Sequence, residues 1–251
     1  MQRWVGRVAL VTGASVGIGA KLSEDLVKAG MTVVGCARNI EKIQKASEDL
    51  KSSNGSLYAI KCDLTKEDEI LAMFNEIKLK FGGVDVCINN AGLAHAETLL
   101  TGSTEKWRNM LEVNVIGLSV CTREAVQSMR DRNVDDGHII HVNSMSGKRI
   151  ITSPAGHFYS ASKFAVTALT EGLRHELRDL KSHIRVSSIS PGVVETEFAE
   201  RMTNTDMAAK LYGSMKCLET ADISAAIIYA LSAPPHVQVH DILMRPTEQV
   251  S

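Results

Sequence analysis

The sequence predicts an α/β fold, a doubly wound parallel β-sheet of about seven strands with helices on both faces. Short apolar runs alternate with longer amphipathic stretches along the whole chain, the pattern of successive βαβ units. The apolar runs are continuous, as in T-V-V-G-C at 32–36, which suits strands buried on both faces. A glycine-rich loop, T-G-A-S-V-G-I-G at 12–19, stands between the first strand and the first helix.

In chain order, Arg7–Thr12 reads as the first strand, and a helical pattern from Ile18 to Ala29 stops at Gly30, a natural C-cap. Met31–Cys36 is the second strand, Ile40–Ser52 a charged helix, Asn54-Gly55 a turn and Leu57–Lys61 the third strand. Thr65 is placed to cap a helix over Lys66–Lys80, whose first turn is acidic. The fourth strand, Val84–Ile88, leads into N-N-A-G at 89–92, and one long helix is expected over Thr104–Arg130. Gly137–Val142 is the fifth strand. A helix carrying Tyr159 and Lys163 runs to Leu180, and Ile184–Ile189 is the sixth strand, ending at S-P-G. Residues 193–218, rich in Met, Phe and Thr, are expected to form short helices and substrate-side loops. A helix over Thr220–Leu231 and a strand over Val237–Met244 complete the pattern. With no linker or shift of composition, residues 1–251 read as one dinucleotide-binding domain of Rossmann type.

Composition narrows the function. The 251 residues are 44% hydrophobic and 23% charged, ordinary for a chain with a sizeable core. Lys+Arg 28 against Asp+Glu 29 leaves a net charge of −1, so no nucleic-acid partner and no attraction to an anionic membrane are expected. No apolar run suffices for a transmembrane segment, and no signal-peptide core precedes the first strand. Five cysteines without a C-x-x-C pair read as reduced structural thiols of a cytoplasmic protein.

The glycine loop offers Gly13, Gly17 and Gly19, with Ser15, Val16 and Ile18 between them. Glycines let the backbone approach a pyrophosphate, which the helix N-terminus then stabilises. The spacing is G-x-x-x-G-x-G rather than the commoner G-x-G-x-x-G. The second strand ends in Cys36-Ala37-Arg38-Asn39, with no carboxylate to hold a ribose 2′-hydroxyl and one arginine to meet a 2′-phosphate. The cofactor expected is therefore NADP(H). Tyr159 and Lys163 are four apart and share one helix face, where an ammonium favours the phenolate. Ser144 stands at the end of the fifth strand, where open α/β sheets place their chemistry.

Together T-G-A-S-V-G-I-G, N-N-A-G, Asn114, Ser144, Y-S-A-S-K at 159–163 and P-G at 191–192 resemble the short-chain dehydrogenase/reductase family over nearly the whole chain. The stretches V-N-S-M-S-G and S-P-G-V-V-E-T and the tail M-R-P-T-E-Q-V resemble one branch of it. The resemblance implies that Tyr159 is the general acid or base, that Lys163 binds the nicotinamide ribose and lowers the Tyr159 pKa, and that Ser144 orients the substrate oxygen. It implies that Asn114 holds a proton-relay water and that Asp63 and Leu64 contact the adenine. Asn90, Ala91 and Gly92 would line the cofactor, and Pro191, Gly192, Val194 and Thr196 would meet the nicotinamide amide. The family's serine-to-tyrosine interval would select Ser146, thirteen before Tyr159, whereas the N-S-x-x-G pattern selects Ser144, fifteen before it. Ser144 is favoured.

The substrate-side loops offer Leu93, Met145, Ile150, Ile151, Phe158, Val193, Phe198, Met202, Met207 and Leu211, with Lys148, Arg149 and Arg201 as the basic candidates. A mostly apolar wall with adaptable methionines suits a lipophilic alcohol or carbonyl. The resemblance narrows this to farnesol-type terpenoids or keto- and hydroxysteroids, and implies a homodimer or homotetramer. A non-catalytic dinucleotide sensor or scaffold on the same fold is the competing reading; the intact tyrosine–lysine pair argues against it. A sugar-nucleotide epimerase shares Y-x-x-x-K but would carry G-x-x-G-x-x-G and a substantial substrate domain.

Overall fold

The computed structural model describes residues 1–202 and 205–249; the side chains of Arg201, Met207 and Leu211, three of the substrate-side candidates, lie outside the described residues. Seven parallel strands form one sheet: β1 (Val8–Thr12), β2 (Thr32–Ala37), β3 (Ser56–Lys61), β4 (Val86–Asn89), β5 (His138–Val142), β6 (Arg185–Pro191) and β7 (Asp241–Met244). Their order is β3-β2-β1-β4-β5-β6-β7. Between them run α1 (Gly17–Lys28), α2 (Glu41–Asp49), α3 (Glu67–Phe81), α4 (Thr104–Leu111), α5 (Leu118–Asp131), α6 (His157–Asp179), α7 (Glu197–Met202), α8 (Thr205–Gly213) and α9 (Thr220–Ser232).

The continuous apolar strands divide their side chains between two cores with period two. Ala9, Val11, Val33, Val86, Ile88 and Ile140 face α1 and α9, while Val8, Leu10, Val34, Cys87 and Ile139 face α3 and α5. At the amino ends of the strands, Asp85 accepts the Val8 N–H at 2.9 Å and pairs with Arg132 at 3.1 Å and Arg7 at 3.4 Å. Trp4, fully buried, donates its indole N–H to the Leu231 carbonyl at 2.8 Å.

Three elements depart from the sequence expectation. The long helix over 104–130 is broken by a π turn, Glu112–Gly117, between α4 and α5. Buried Asn114 bonds to the loop after β4 there, and Gly117 lies so close to Leu64 that a Cβ would sit 2.6 Å from its carbonyl oxygen. The buried positions Met110, Asn114, Leu118, Cys121 and Ala125 keep spacings of three and four, which is why periodicity did not reveal it. Thr65 does not cap α3. Its N–H and hydroxyl both go to Asp63 Oδ1 (3.1 and 2.9 Å), and Lys66 takes the N-cap position without a side-chain bond. The α3 dipole is met by Glu67, Asp68 and Glu69 instead. The last strand is shorter than expected, because Val237 and Val239 give their carbonyls to side chains, Arg185 (3.1 Å) and Ser187 (2.6 Å), not to a backbone ladder. Among the described residues no helix is long and apolar enough to cross a membrane.

Candidate active site

The strand order reverses between β1 and β4, so the loops at their carboxyl ends part and leave a crevice. The glycine loop lines one side. Gly13 and Gly17 take φ of +68° and +58°, open to glycine at little cost. Gly19 is needed for another reason: a Cβ there would lie 2.5 Å from Asn90 Nδ2. Asn90 holds the loop by donating to the carbonyls of Thr12 (2.8 Å) and Gly13 (3.2 Å), and the Thr12 hydroxyl accepts the N–H groups of Asn90 and Ala91, both at 3.0 Å. Ser15 and extended Val16 lead into α1, and Ile18 anchors its first turn on the core.

Arg38 is exposed at the end of β2, and Asn39 Oδ1 accepts the Glu41 N–H at 3.0 Å at the start of α2. Across from them, burial pushes the Asp63 carboxyl up, but the hydrogen bonds from Thr65 and the charges of Arg38 and Lys66 outweigh it and hold it below its usual range. Leu64 follows it, packed against the π turn. Thr196 closes the crevice from above, its Cγ2 placed 3.4 Å from where a Gly17 Cβ would be. Tyr212 grips Thr196, its hydroxyl donating to the Thr196 carbonyl (2.6 Å) and accepting the Thr196 N–H (3.3 Å). Val194 bridges to Leu218.

Ser144, Tyr159, Lys163 and Asn114 meet at the carboxyl ends of β4 and β5. Tyr159 is 7% exposed; burial pushes its phenol up to about 12, and a hydrogen bond with Ser144 pulls the other way. Ser144 is thus the serine facing Tyr159. Ser146 is buried behind it and gives its own backbone N–H to Ser144 Oγ at 3.1 Å. Lys163 is 4% exposed, donates to the Val142 carbonyl at 3.0 Å, and burial pushes it down to about 8. Its Nζ lies 5.9 Å from the Tyr159 ring centroid. The lowering of the Tyr159 pKa expected from a neighbouring ammonium is therefore not what governs here. Desolvation dominates, because both groups are buried and the ammonium is drawn to the β5 carbonyl.

Asn114 accepts the Leu93 N–H at 2.9 Å and donates to the Leu93 carbonyl (2.8 Å) and to Ser162 Oγ (3.0 Å). Both amide protons are thereby used, leaving Oδ1 and the main-chain carbonyl as groups able to accept from a water. A Cβ on Gly92 would lie 3.4 Å from Asn114 Oδ1 and 3.6 Å from Lys163 Nζ, so these two converge on the N-N-A-G loop.

An apolar cluster stands in front of Tyr159. Phe198 lies against its ring, centroids 5.6 Å apart, and Trp107 stacks on Phe158 at 5.1 Å and 11°. Leu93, Ala94, Met110, Ile151 and Met202 join them. Of the basic candidates, Lys148 is paired with Asp241 at 3.3 Å and Arg149 lies on Met145 Sδ at 2.8 Å. Ile150 points outward, 59% exposed.

A sequence profile described as short chain dehydrogenase matches residues 7–207. The chain belongs to the short-chain dehydrogenase family. As such an oxidoreductase it is 59% identical over the full length of both chains to dehydrogenase/reductase SDR family member 11 of Gallus gallus. It is 47% identical to the farnesol dehydrogenase of Aedes aegypti, with 98% of each chain covered. Among solved structures, this dehydrogenase resembles the closed form of a serine dehydrogenase complexed with NADP+, at TM-score 0.89 and 31% identity over 97% of this chain and 96% of that one.

Sequence reading missed Trp107 and Met110 as part of this dehydrogenase's wall. Their apolar spacing reads equally well as helix core, and the π turn decides which side they reach. It also missed Tyr212 and Gln249, whose contacts come from chain folding back over the crevice; no local pattern announces them.

Proposed function

We propose that the protein is an NADP(H)-dependent oxidoreductase interconverting a lipophilic alcohol and its aldehyde or ketone. The observation that carries this reading is the Ser144–Tyr159 hydroxyl pair, buried beside Lys163 and Asn114 and facing an aromatic wall. The crevice fits a dinucleotide phosphate. Glycines at 13, 17 and 19 leave room that side chains would fill, α1 begins at Gly17, and Arg38 stands exposed at the end of β2. The comparison structure named above, complexed with NADP+, supports the same cofactor.

Gly13, Ser15, Val16, Gly17, Ile18 and Gly19 would hold the pyrophosphate, and Arg38 with Asn39 the 2′-phosphate. Asp63 and Leu64 would hold the adenine, and Asn90, Ala91, Gly92, Pro191, Gly192, Val194 and Thr196 the nicotinamide half. NADP(H) supplies or accepts the hydride. In alcohol oxidation Tyr159 Oη, as phenolate, takes the hydroxyl proton while Ser144 Oγ donates to the substrate oxygen; in reduction Tyr159 returns the proton. Lys163 Nζ, once turned from the Val142 carbonyl toward a ribose, would favour the phenolate, and Asn114 would hold the water that restores the proton. The apolar wall and the farnesol dehydrogenase likeness support a farnesol-type terpenoid, and the same wall would admit keto- or hydroxysteroids.

Five free, buried thiols support a cytoplasmic setting. Apolar Ile116 and Phe164, 50% and 40% exposed, support a homodimer or homotetramer, which light scattering would test. The test of function is NADPH oxidation and NADP+ reduction over a panel of terpenoid, steroid and small carbonyl compounds. Turnover with the lipophilic members is expected, and Arg38→Asp should shift preference toward NAD(H) by about 10- to 150-fold, the worth of one charge-assisted hydrogen bond. Retained dinucleotide without turnover across the panel would favour the sensor reading.

A further inference from the structure

The tail beyond β7 returns to the crevice. Gln249 is buried, 6% exposed, and its Oε1 accepts the Val193 N–H at 3.0 Å. Its amide nitrogen reaches toward Met145 Sδ at 3.9 Å. Val193 opens the loop after β6, and Met145 follows Ser144 directly. One side chain therefore touches both loops that flank the reacting centre. Two further contacts fix the tail: the Gly192 N–H donates to the Met244 carbonyl at 2.7 Å, and the Gln249 N–H closes a turn on the Pro246 carbonyl at 3.1 Å. The amide orientation follows from chemistry, since a backbone N–H needs an acceptor and only Oε1 is one. The space at Gly192 is set by the same group, because a Cβ there would collide with Gln249 Oε1.

We infer that Gln249 is a positioning residue: it locks the P-G-V loop at 191–193 to the Ser144 loop, setting the nicotinamide-side wall against the hydroxyl pair. The inference rests on the proposed oxidoreductase reading for its kinetic consequence, but the lock itself does not. A buried backbone N–H that loses its acceptor is costly, so the Val193 loop would re-seek water or another partner when Gln249 is replaced. Small displacements of a reacting geometry cost rate far more than they cost binding elsewhere on the ligand.

The test compares wild type with Gln249→Leu, which keeps bulk, and Gln249→Ala. Hydrogen–deuterium exchange of the cofactor-free chain is read first. Both variants should exchange at least tenfold faster in peptides covering 190–196 and 144–149, with α3 and the β1–β3 region unchanged. Turnover should fall about tenfold or more, with NADP+ affinity changed less than about threefold. The primary isotope effect from deuterated NADPH should rise as hydride transfer becomes limiting. Unchanged exchange in both loops overturns the inference whatever the activity. Faster exchange throughout, with an unchanged isotope effect, also overturns it, since that marks general loosening. A wild type that turns over nothing defeats the proposed function alone, and the exchange comparison still decides the lock.

Discussion

Tyr159 and Lys163 are both held toward their neutral forms, at about 12 and about 8, because each is buried. For Lys163 this is a stability statement. Its ordinary value is 10.5, so below pH 8 both states carry the proton and the folded state bears the full cost of burying the charge, about 3 kcal/mol. Between pH 8 and 10.5 the unfolded chain holds a proton that the folded chain has lost, and stability rises with pH. Replacing Lys163 by Met removes that cost but orphans the Val142 carbonyl, worth about 1–3 kcal/mol. Urea melts should therefore show Lys163→Met more stable than wild type by about 1 kcal/mol at pH 7, with the advantage gone by pH 9.5, while turnover is abolished. At the neighbouring hydroxyl, Ser144→Ala should lower kcat about 100-fold, as loss of an oxyanion-type donor does. Ser146→Ala, which keeps the backbone N–H that Ser144 accepts, should change it less than about fivefold. Steady-state kinetics of the two variants checks both.

Elements were legible where one face or one spacing decides them. Strands such as β1 and β2 could be read from continuous apolar runs, and the glycine loop from its place after β1, while β7 came out shorter than its run. The π turn could not, because Met110, Asn114 and Leu118 keep the four-residue spacing of an ordinary α-helix face. Thr65 has the right identity for a cap, yet Asp63 two residues earlier captures its hydroxyl, a competition between local acceptors that residue preference cannot rank. The π turn carries its own prediction. In Gly117→Ala the added methyl would press on the Leu64 carbonyl, 2.6 Å away, inside a packed interior. Overpacking of this kind costs about 1–3 kcal/mol. Thermal melts should show that loss, and NADP(H) titration should show weaker binding, because the displaced residue belongs to the proposed adenine site.

At the scale of the molecule, stability and chemistry sit at opposite ends of one sheet. The amino ends of β1 and β4 are tied by Asp85, whose side chain is 8% exposed and serves Arg7, Arg132 and the Val8 N–H. Asp85→Ala would take the acceptor from the Val8 N–H and one carboxylate from Arg132, while Arg7 keeps Asp136 at 2.7 Å, a loss of about 1–3 kcal/mol. Denaturant unfolding should register it, while kcat of the folded fraction stays within about twofold. The charge pairing that builds this end joins residues far apart in the chain, Arg7 with Asp85 and Asp85 with Arg132, so no sequence window contained it. The carboxyl end was read more fully, since its groups sit in short runs: N-N-A-G, N-S-M-S-G and Y-S-A-S-K.

Residues 194–198, which follow β6, touch both halves of the crevice at once. Thr196 rests over Gly17, and Phe198 rests on the Tyr159 ring. A molecule on the glycine loop would meet Thr196, and one at Tyr159 would meet Phe198, two residues further on. On the proposed reading the two ligands thus share one short stretch of wall, so a change in the backbone at 196–198 is felt by both.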